Sequence, residues 1–344
     1  MKLGNIIFIA RFAALILILL LIDFEHLVLI LRSINLDLLV LAVLLDLAGF
    51  LVWTWKWKFI ANKLENVKFT TLFLGLMSGN CLNSNVLRAR TFGGFGRAMF
   101  LKNITKDHEH GNWYATIVID QTTNAFVFSI PVVFSLLFII MFLKIPWWLS
   151  ILLESIAIIL FMLSVFAYMS KHRIKRTTIV RVFYSILKRI YDLTPLKFIR
   201  NRYTYQKFEE LVIKGIIEFK KTYGVILRDK RIVMRDIGLS IIMFVFIYAK
   251  AYVIFRSVGY NITILSLIVS LTLTLWIISI LLIPGGLGVK ELIMIGIYSM
   301  VGVPVTTAAV VSLIDRAIYM FFVVVIAYAA TVINRIFHIG ERTG

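Results

Sequence analysis

Residues 262–303 read ITILSLIVSLTLTLWIISILLIPGGLGVKELIMIGIYSMVGV. The only charged side chains in this stretch are Lys290 and Glu291, and both follow the interruption Pro284-Gly285-Gly286-Leu287-Gly288. A helix of about 20 apolar residues crosses the roughly 30 Å hydrocarbon core of a bilayer. This run is about twice that length, and its middle holds residues that end helices. The expected structure is a helical hairpin within the membrane. A second segment, residues 70–103, has the same design, broken by Phe92-Gly93-Gly94-Phe95-Gly96-Arg97.

The rest of the chain fits that setting. Of its 344 residues 60% are hydrophobic and 16% charged, with 37 Lys and Arg against 18 Asp and Glu, a formal charge of +19. Such composition excludes an ordinary soluble domain and a disordered basic tail. Residues 171–235 contain 18 Lys or Arg and five Asp or Glu, a surplus of 13 that accounts for two thirds of the net charge. A soluble basic domain would suggest nucleic acid. A basic loop tied at both ends to apolar spans instead marks the cytoplasmic side, so the expected surroundings are membrane and the expected partners exclude nucleic acid. The single Cys81 excludes an intramolecular disulfide and a Cys-based metal cluster. Phosphate-loop, His-Glu-x-x-His and Gly-x-Ser-x-Gly motifs are absent, His108-Glu109-His110 is only a weak metal candidate, and no catalytic residue, metal or cofactor is expected.

Six further spans are predicted, at 4–22, 36–55, 113–143, 146–170, 236–257 and 305–333. The first reads as a retained anchor, since Asp23, Phe24, Glu25 and His26 follow it without a cleavage pattern. With the loop 171–235 in the cytoplasm, Lys56, Lys58, Lys63, Lys68, Lys102 and Lys106 also fall inside only if 70–103 crosses an even number of times. The same parity returns 262–303 to the outside. The organisation is therefore an anchor (1–35), repeat one (36–143), a connecting span (144–170), the basic loop (171–235), repeat two (236–333) and a tail (334–344). Both termini are cytoplasmic, in the cell membrane.

The expected fold is an all-α polytopic integral membrane helical bundle of two inverted repeats, each with a Gly-broken, re-entrant helical hairpin. In repeat one Gly93, Gly94, Gly96 and Arg97 precede Ile119-Asp120-Gln121; in repeat two Gly285, Gly286, Gly288 and Lys290 precede Ile314-Asp315-Arg316. Glycine permits reversal of the chain and close approach of a ligand to the backbone, and a half-helix starting after it turns free N–H groups toward an anion. Close helix packing explains the same glycines without a ligand.

Asp46, Asp120, Lys250, Glu291, Asp315 and Arg316 lie inside apolar runs, where each charge costs about 2.5–3.5 kcal/mol unless paired. Asp120 and Asp315 are expected to pair with Arg97, Lys290 or Arg316, either at a ligand site or as a structural knot. Arg88 and Arg90, beside the Asn-rich stretch 80–85, line a vestibule or solvate the hairpin. In the loop, residues 179–190 and 208–219 carry apolar positions at helical spacing. They are expected to lie on an anionic leaflet or to serve as a plain linker.

Pro284-Gly-Gly-Leu-Gly-Val-Lys-Glu291, followed by Gly302-Val-Pro304 and Asp315-Arg316, resembles the C-terminal signature of the lysylphosphatidylglycerol synthase transmembrane family, the flippase-like membrane proteins. The likeness covers most of the chain, which looks like the stand-alone prokaryotic members without an aminoacyltransferase domain. The family usually has Gly-Glu-x-x-Arg and then Glu-Arg-x-x-Asp in repeat one, where this chain has Gly96-Arg97 and Asp120-Gln121-Thr-Thr-Asn124. The positions that transfer best are Gly285, Gly286, Gly288, Lys290, Glu291 and Arg316.

The resemblance implies movement of an anionic phospholipid or a lipid-linked carrier between leaflets. It does not imply aminoacyl transfer, which in bifunctional relatives belongs to a separate soluble domain. The residues expected to meet the headgroup are the six motif glycines with Arg97, Asp120, Lys290, Glu291, Asp315 and Arg316. The other reading is a membrane-embedded transferase acting on a polyprenyl-phosphate or phospholipid, with Asp120 or Asp315 as general base.

Overall fold

A computed structural model describes residues 23–85, 91–104, 110–142, 155, 205–280 and 288–341. Among them the regular structure is entirely helical: α1 (Phe24–Arg32), α2 (Leu36–Ala61), α3 (Phe69–Asn85), α4 (Thr91–Ile104), α5 (His110–Phe142), α6 (Tyr205–Arg228), α7 (Lys230–Ser257), α8 (Ile264–Ile280), α9 (Val289–Met300) and α10 (Val305–Glu341). Among the described residues four segments are long and apolar enough to cross a membrane: Leu36–Ala61, Gly111–Met141, Lys230–Ser257 and Val305–Ile326. They coincide with four of the six expected spans. The other two, 4–22 and 146–170, lie outside the described residues, as does the amphipathic stretch 179–190.

Helix ends follow local chemistry. The Asp23 carboxylate accepts from the N–H groups of Glu25 and His26 to start α1, Asn35 Oδ1 accepts from Leu38 N–H (3.1 Å) to start α2, and Asp229 caps α7 through the N–H groups of Arg231 and Ile232. The helices α7 and α9 end alike. Gly259 (φ 78°) and Gly302 (φ 90°) take the left-handed turn, and Tyr260 N–H and Val303 N–H reach back to the carbonyls of Phe255 and Tyr298 at 3.0 Å each.

The most extensive helix contact among the described residues is the pair α2 and α7. Asn35 N–H donates to Ser257 O (2.9 Å), Lys250 pairs with Asp46, Gly49 faces Phe246, Lys56 pairs with Asp236, and Lys63 with Asp229 (2.8 Å). As one helix ascends in number the other descends, so the two are antiparallel. Asp229 lies outside the spans. Its hydrogen bond from Lys63, assisted by the N–H groups of Ile232 and Arg231, holds its carboxyl below the usual carboxylate range.

Two helical hairpins flank this pair. Within each, the two helices pack on one another, α3 on α4 and α8 on α9. The second helix of each also packs on the next long helix of the chain, α4 on α5 and α9 on α10, whereas the first packs on the long helix of the opposite half, α3 on α10 and α8 on α5. Trp57, Leu72, Met77, Trp113, Phe255 and Tyr298 belong to the main buried core. Leu44, Phe126, Ile130, Met141, Val245 and Phe321 are exposed on the long helices, as lipid-facing positions are.

The basic loop ends differently from expectation. The apolar face of α6, assigned from its spacing to the leaflet or to a linker, packs in part on α5: Phe219 meets Tyr114 (ring centroids 6.2 Å), Thr222 Oγ1 donates to Asn112 (2.9 Å), and Ile226 joins a small core with Ile60, Ile119 and Ile232. The crossing is at Gly111, where an added Cβ would lie 2.2 Å from the carbonyl oxygen of Gly215. Backbone cannot yield there as a flexible side chain would. Gly111→Ala is therefore expected to push α6 away from α5 at a cost of about 1–3 kcal/mol. Limited proteolysis after α6 in detergent should become faster, and an unchanged cleavage rate would contradict the packing.

Candidate functional site

The charges inside the spans gather into two clusters along α2 and α7. In the first, Lys56 Nζ lies 2.9 Å from Asp120 Oδ1 and 3.2 Å from Asp236 Oδ1, and all three side chains are fully buried. The ammonium also donates to the Asp120 carbonyl (2.9 Å), Asn124 Oδ1 (3.0 Å) and Thr123 Oγ1 (3.1 Å). Thr123 in turn donates a short hydrogen bond to Asp236. Trp53 Nε1 donates to Asp120 Oδ2 (2.9 Å), and Arg97 Nη1 lies 3.7 Å from the same oxygen. The Arg97 guanidinium sits over the Trp53 ring at 4.7 Å and donates from Nη2 to Asn80 Oδ1 (3.2 Å). Its Nε and Nη1 are buried and make no hydrogen bond among the described residues.

In the second, Lys250 Nζ lies 2.7 Å from Asp315 Oδ1 and 3.0 Å from Asp46 Oδ1, and Lys290 Nζ lies 3.1 Å from Asp315 Oδ2. The cluster is the wetter one, since the Lys290 side chain is 21% exposed and that of Asp315 11%. Beside it, Arg316 Nε lies 3.5 Å from Glu291 Oε1, and Glu291 Oε2 accepts from the Gly288 N–H (2.7 Å). That bond caps α9, whose start needs Gly288 at φ 103°.

The clusters have the same plan. Each has a bridging lysine from α2 or α7, a carboxylate from its own half (Asp120 or Asp315) and a carboxylate from the other half (Asp236 or Asp46). A second cation stands on the own-half carboxylate (Arg97 or Lys290). Each therefore balances two positive against two negative charges. Asp46 and Lys56 are ten residues apart and Asp236 and Lys250 fourteen. At 1.5 Å per residue the clusters lie about 15–20 Å apart along the pair. Such a site attracts an anion only where a carboxylate gives way or a proton arrives, because an uncompensated charge in this setting is costly.

The expected pairings hold in part. Arg97 approaches Asp120 and Lys290 pairs with Asp315, but Arg316 turns to Glu291, and the central partner of each aspartate is Lys56 or Lys250. Lys56 was assigned to the cytoplasmic flank because a span was ended at the first lysine after residue 55. The helix runs on to Ala61, and Lys56 is buried. A signal for it exists. Asp46, Gly49, Trp53, Lys56 and Ile60 are spaced 3, 7, 10 and 14 residues from the first, which places them on one helix stripe.

The two glycine motifs also differ. Chain reversal was expected at Gly93-Gly94-Phe95-Gly96, yet α4 begins at Thr91, so these glycines lie inside a helix and serve packing. Gly94 faces Ile117 and Gln121 of α5, and a Cβ on Gly79 of α3 would lie 2.6 Å from both the Gly93 carbonyl oxygen and Arg97 Cγ. Asn80, in the Asn-rich stretch 80–85, is helical and holds Arg97. In the second motif Gly288 does open a helix. Gly285 and Gly286 lie outside the described residues, as do Arg88, Arg90, His108 and Glu109. Among the described residues no group of three His, Cys, Asp or Glu is placed to hold a metal.

Comparison with known proteins places this arrangement. UPF0104 membrane proteins of three archaea are similar along most of their length: that of Pyrococcus horikoshii is 26% identical over 86% of each chain. One from Methanothermobacter thermautotrophicus is 25% identical over 95% of this chain and 94% of its own, and that of Methanocaldococcus jannaschii is 23% identical over 96% and 94%. No solved structure matches. Residues 6–327 match the family described as the lysylphosphatidylglycerol synthase TM region, and with all four described membrane helices inside that match the chain belongs to this family of multi-pass membrane proteins.

Proposed function

We propose that the protein moves an anionic lipid, a phospholipid or a lipid-linked carrier, between the leaflets of the cell membrane. The observation that carries the reading is the pair of buried, charge-balanced clusters at two depths of one helix pair, since ionisable groups within a membrane are costly and mark ligand or ion pathways. The membership of a lipid-related family supports the same reading. We further infer that 36–143 and 236–333 are inverted repeats with both chain termini cytoplasmic. The antiparallel pair, the packing of each hairpin's first helix on the opposite half and the matched cluster plans support this.

Lys290 is the residue through which the headgroup enters. It stands in the first turn of α9, where free N–H groups favour an anion, and its side chain is partly exposed. Asp315 keeps Lys250 when Lys290 is removed, so the fold tolerates the change. In vesicles of phosphatidylcholine with a trace of NBD-labelled phosphatidylglycerol, the purified protein is expected to move label to the dithionite-protected leaflet. Lys290→Ala should lower the rate about tenfold, as loss of one charge-assisted hydrogen bond does. Label that stays in its starting leaflet with the native chain sinks the proposal.

A further inference from the structure

The carboxylates of the two clusters are not held equally. Asp120 has Lys56 at 2.9 Å, the Trp53 indole at 2.9 Å and Arg97 at 3.7 Å; Asp315 has two lysines, at 2.7 and 3.1 Å. The carboxylates that come from the opposite half each have one cation in ion-pair contact among the described residues. Asp236 has Lys56 at 3.2 Å and the Thr123 hydroxyl, and Asp46 has Lys250 at 3.0 Å, while its Oδ2 is buried with no hydrogen-bond partner among the described residues. Asp236 and Asp46 are therefore the ligands that each lysine gives up most readily. They are also the ion-pair ties between α2 and α7 at these two depths.

Each cluster is already neutral. A phosphate anion that enters without compensation makes it net negative in a low-dielectric interior, and the carboxylate it displaces is left buried without a cation. A proton on that carboxylate removes both costs. We propose that Lys56 and Lys250 are two stations of an anion relay, at which a lipid phosphate replaces Asp236 and Asp46 in turn. The displaced carboxylate takes up a proton from water at the open face, so that one proton travels with each phosphodiester anion. The proposal rests on the translocation reading above. Only O–H bonds change: each ammonium exchanges one oxyanion for another, the proton passes from Asp236 to Asp46 through water that follows the phosphate from Lys56 to Lys250, and it returns to water on the far side when the phosphate leaves and Asp46 recovers Lys250.

The groups that face Asp236 are Lys56, Asp120 and Thr123, with Arg97 beyond Asp120; those that face Asp46 are Lys250, Asp315 and Lys290. Among the described residues the charged groups that face either aspartate are members of the two clusters. Loss of either cross-half ion pair also frees α2 from α7 at that depth, which links arrival of an anion to separation of the halves at one end.

The test uses the full chain in the same phosphatidylcholine vesicles with NBD-phosphatidylglycerol, with the membrane potential clamped and a pH difference of one unit imposed in either direction. Coupling of one proton to each anion shifts the steady-state leaflet ratio by up to about tenfold toward the alkaline side, because one pH unit is a factor of ten in proton activity. The ratio should invert when the gradient is inverted, and a potential imposed without a pH difference should leave it unchanged, since the proton and anion together carry no charge. Asp46→Asn leaves Lys250 paired with Asp315 and should bring the two gradient directions to the same ratio.

Label that equilibrates at the same ratio under both gradients overturns the relay and leaves translocation standing. So does a ratio set by potential or by a sodium gradient, or one that Asp46→Asn leaves fully sensitive to pH. Label that never moves overturns both readings. Uptake of inorganic phosphate by the same vesicles under the gradient would overturn a lipid headgroup as the ligand in favour of soluble phosphate.

Discussion

Lys56→Met is expected to destabilise the protein by about 3–5 kcal/mol, the cost of removing one partner from a fully buried ion pair. Asp120 would retain Arg97 and the Trp53 indole, but Asp236 would lose the one cation that pairs with it among the described residues and keep a single hydroxyl. The loss is one of charge balance, so it should be repaired by neutralising the stranded group. Lys56→Met with Asp236→Asn is expected to recover at least half of the lost stability, a coupling of about 1–3 kcal/mol. Thermal unfolding in detergent, followed by tryptophan fluorescence, measures both variants. A single variant as stable as the native chain, or a double variant no better than the single, would contradict the cluster.

Lys250→Met should cost less, about 2–3 kcal/mol, the range for losing a hydrogen bond to a charged group. Its own-half carboxylate keeps a second lysine, Lys290 at 3.1 Å, and both members of that remaining pair are partly exposed and thus partly solvated. Asp46 loses its ion-pair partner and keeps Lys290 only at longer range. The ordering is the test, since two clusters of the same plan differ here in burial, in the second cation and in the additional hydrogen bonds that Lys56 makes to the Asp120 carbonyl, Thr123 and Asn124. Unfolding temperatures in the same detergent should fall further for Lys56→Met than for Lys250→Met, and the reverse order would mean that the exposed cluster bears the larger share of the tie between halves.

Much of the fold is legible along the chain. Hydropathy and length are local properties, so the four described spans and the broken segments 70–103 and 262–303 can be read without knowledge of their neighbours. Asp120 and Asp315 are legible for the same reason, being acids inside apolar runs. Lys56 is legible only as a member of the stripe it shares with Asp46, because a lysine near the end of an apolar run is equally at home at the membrane surface. What buries it is Asp236, far away in the chain, brought beside it by the antiparallel contact of α2 with α7. The two glycine motifs look alike as strings, yet one lies inside α4 and the other opens α9. The difference comes from where each helix starts, and around Gly79 and Gly93 from how closely two helices cross.

Composition, periodicity and charge placement alone thus determined an all-helical membrane protein with two hairpins and a few expensive internal charges, because each is a property of a short segment in a given solvent. Which charge neutralises which, and that the two resulting clusters are matched across the halves, was decided only by tertiary structure. Ion pairs such as Lys56 with Asp236 and Lys250 with Asp46 join residues that no local pattern links, and they form only when packing removes water from both partners at once.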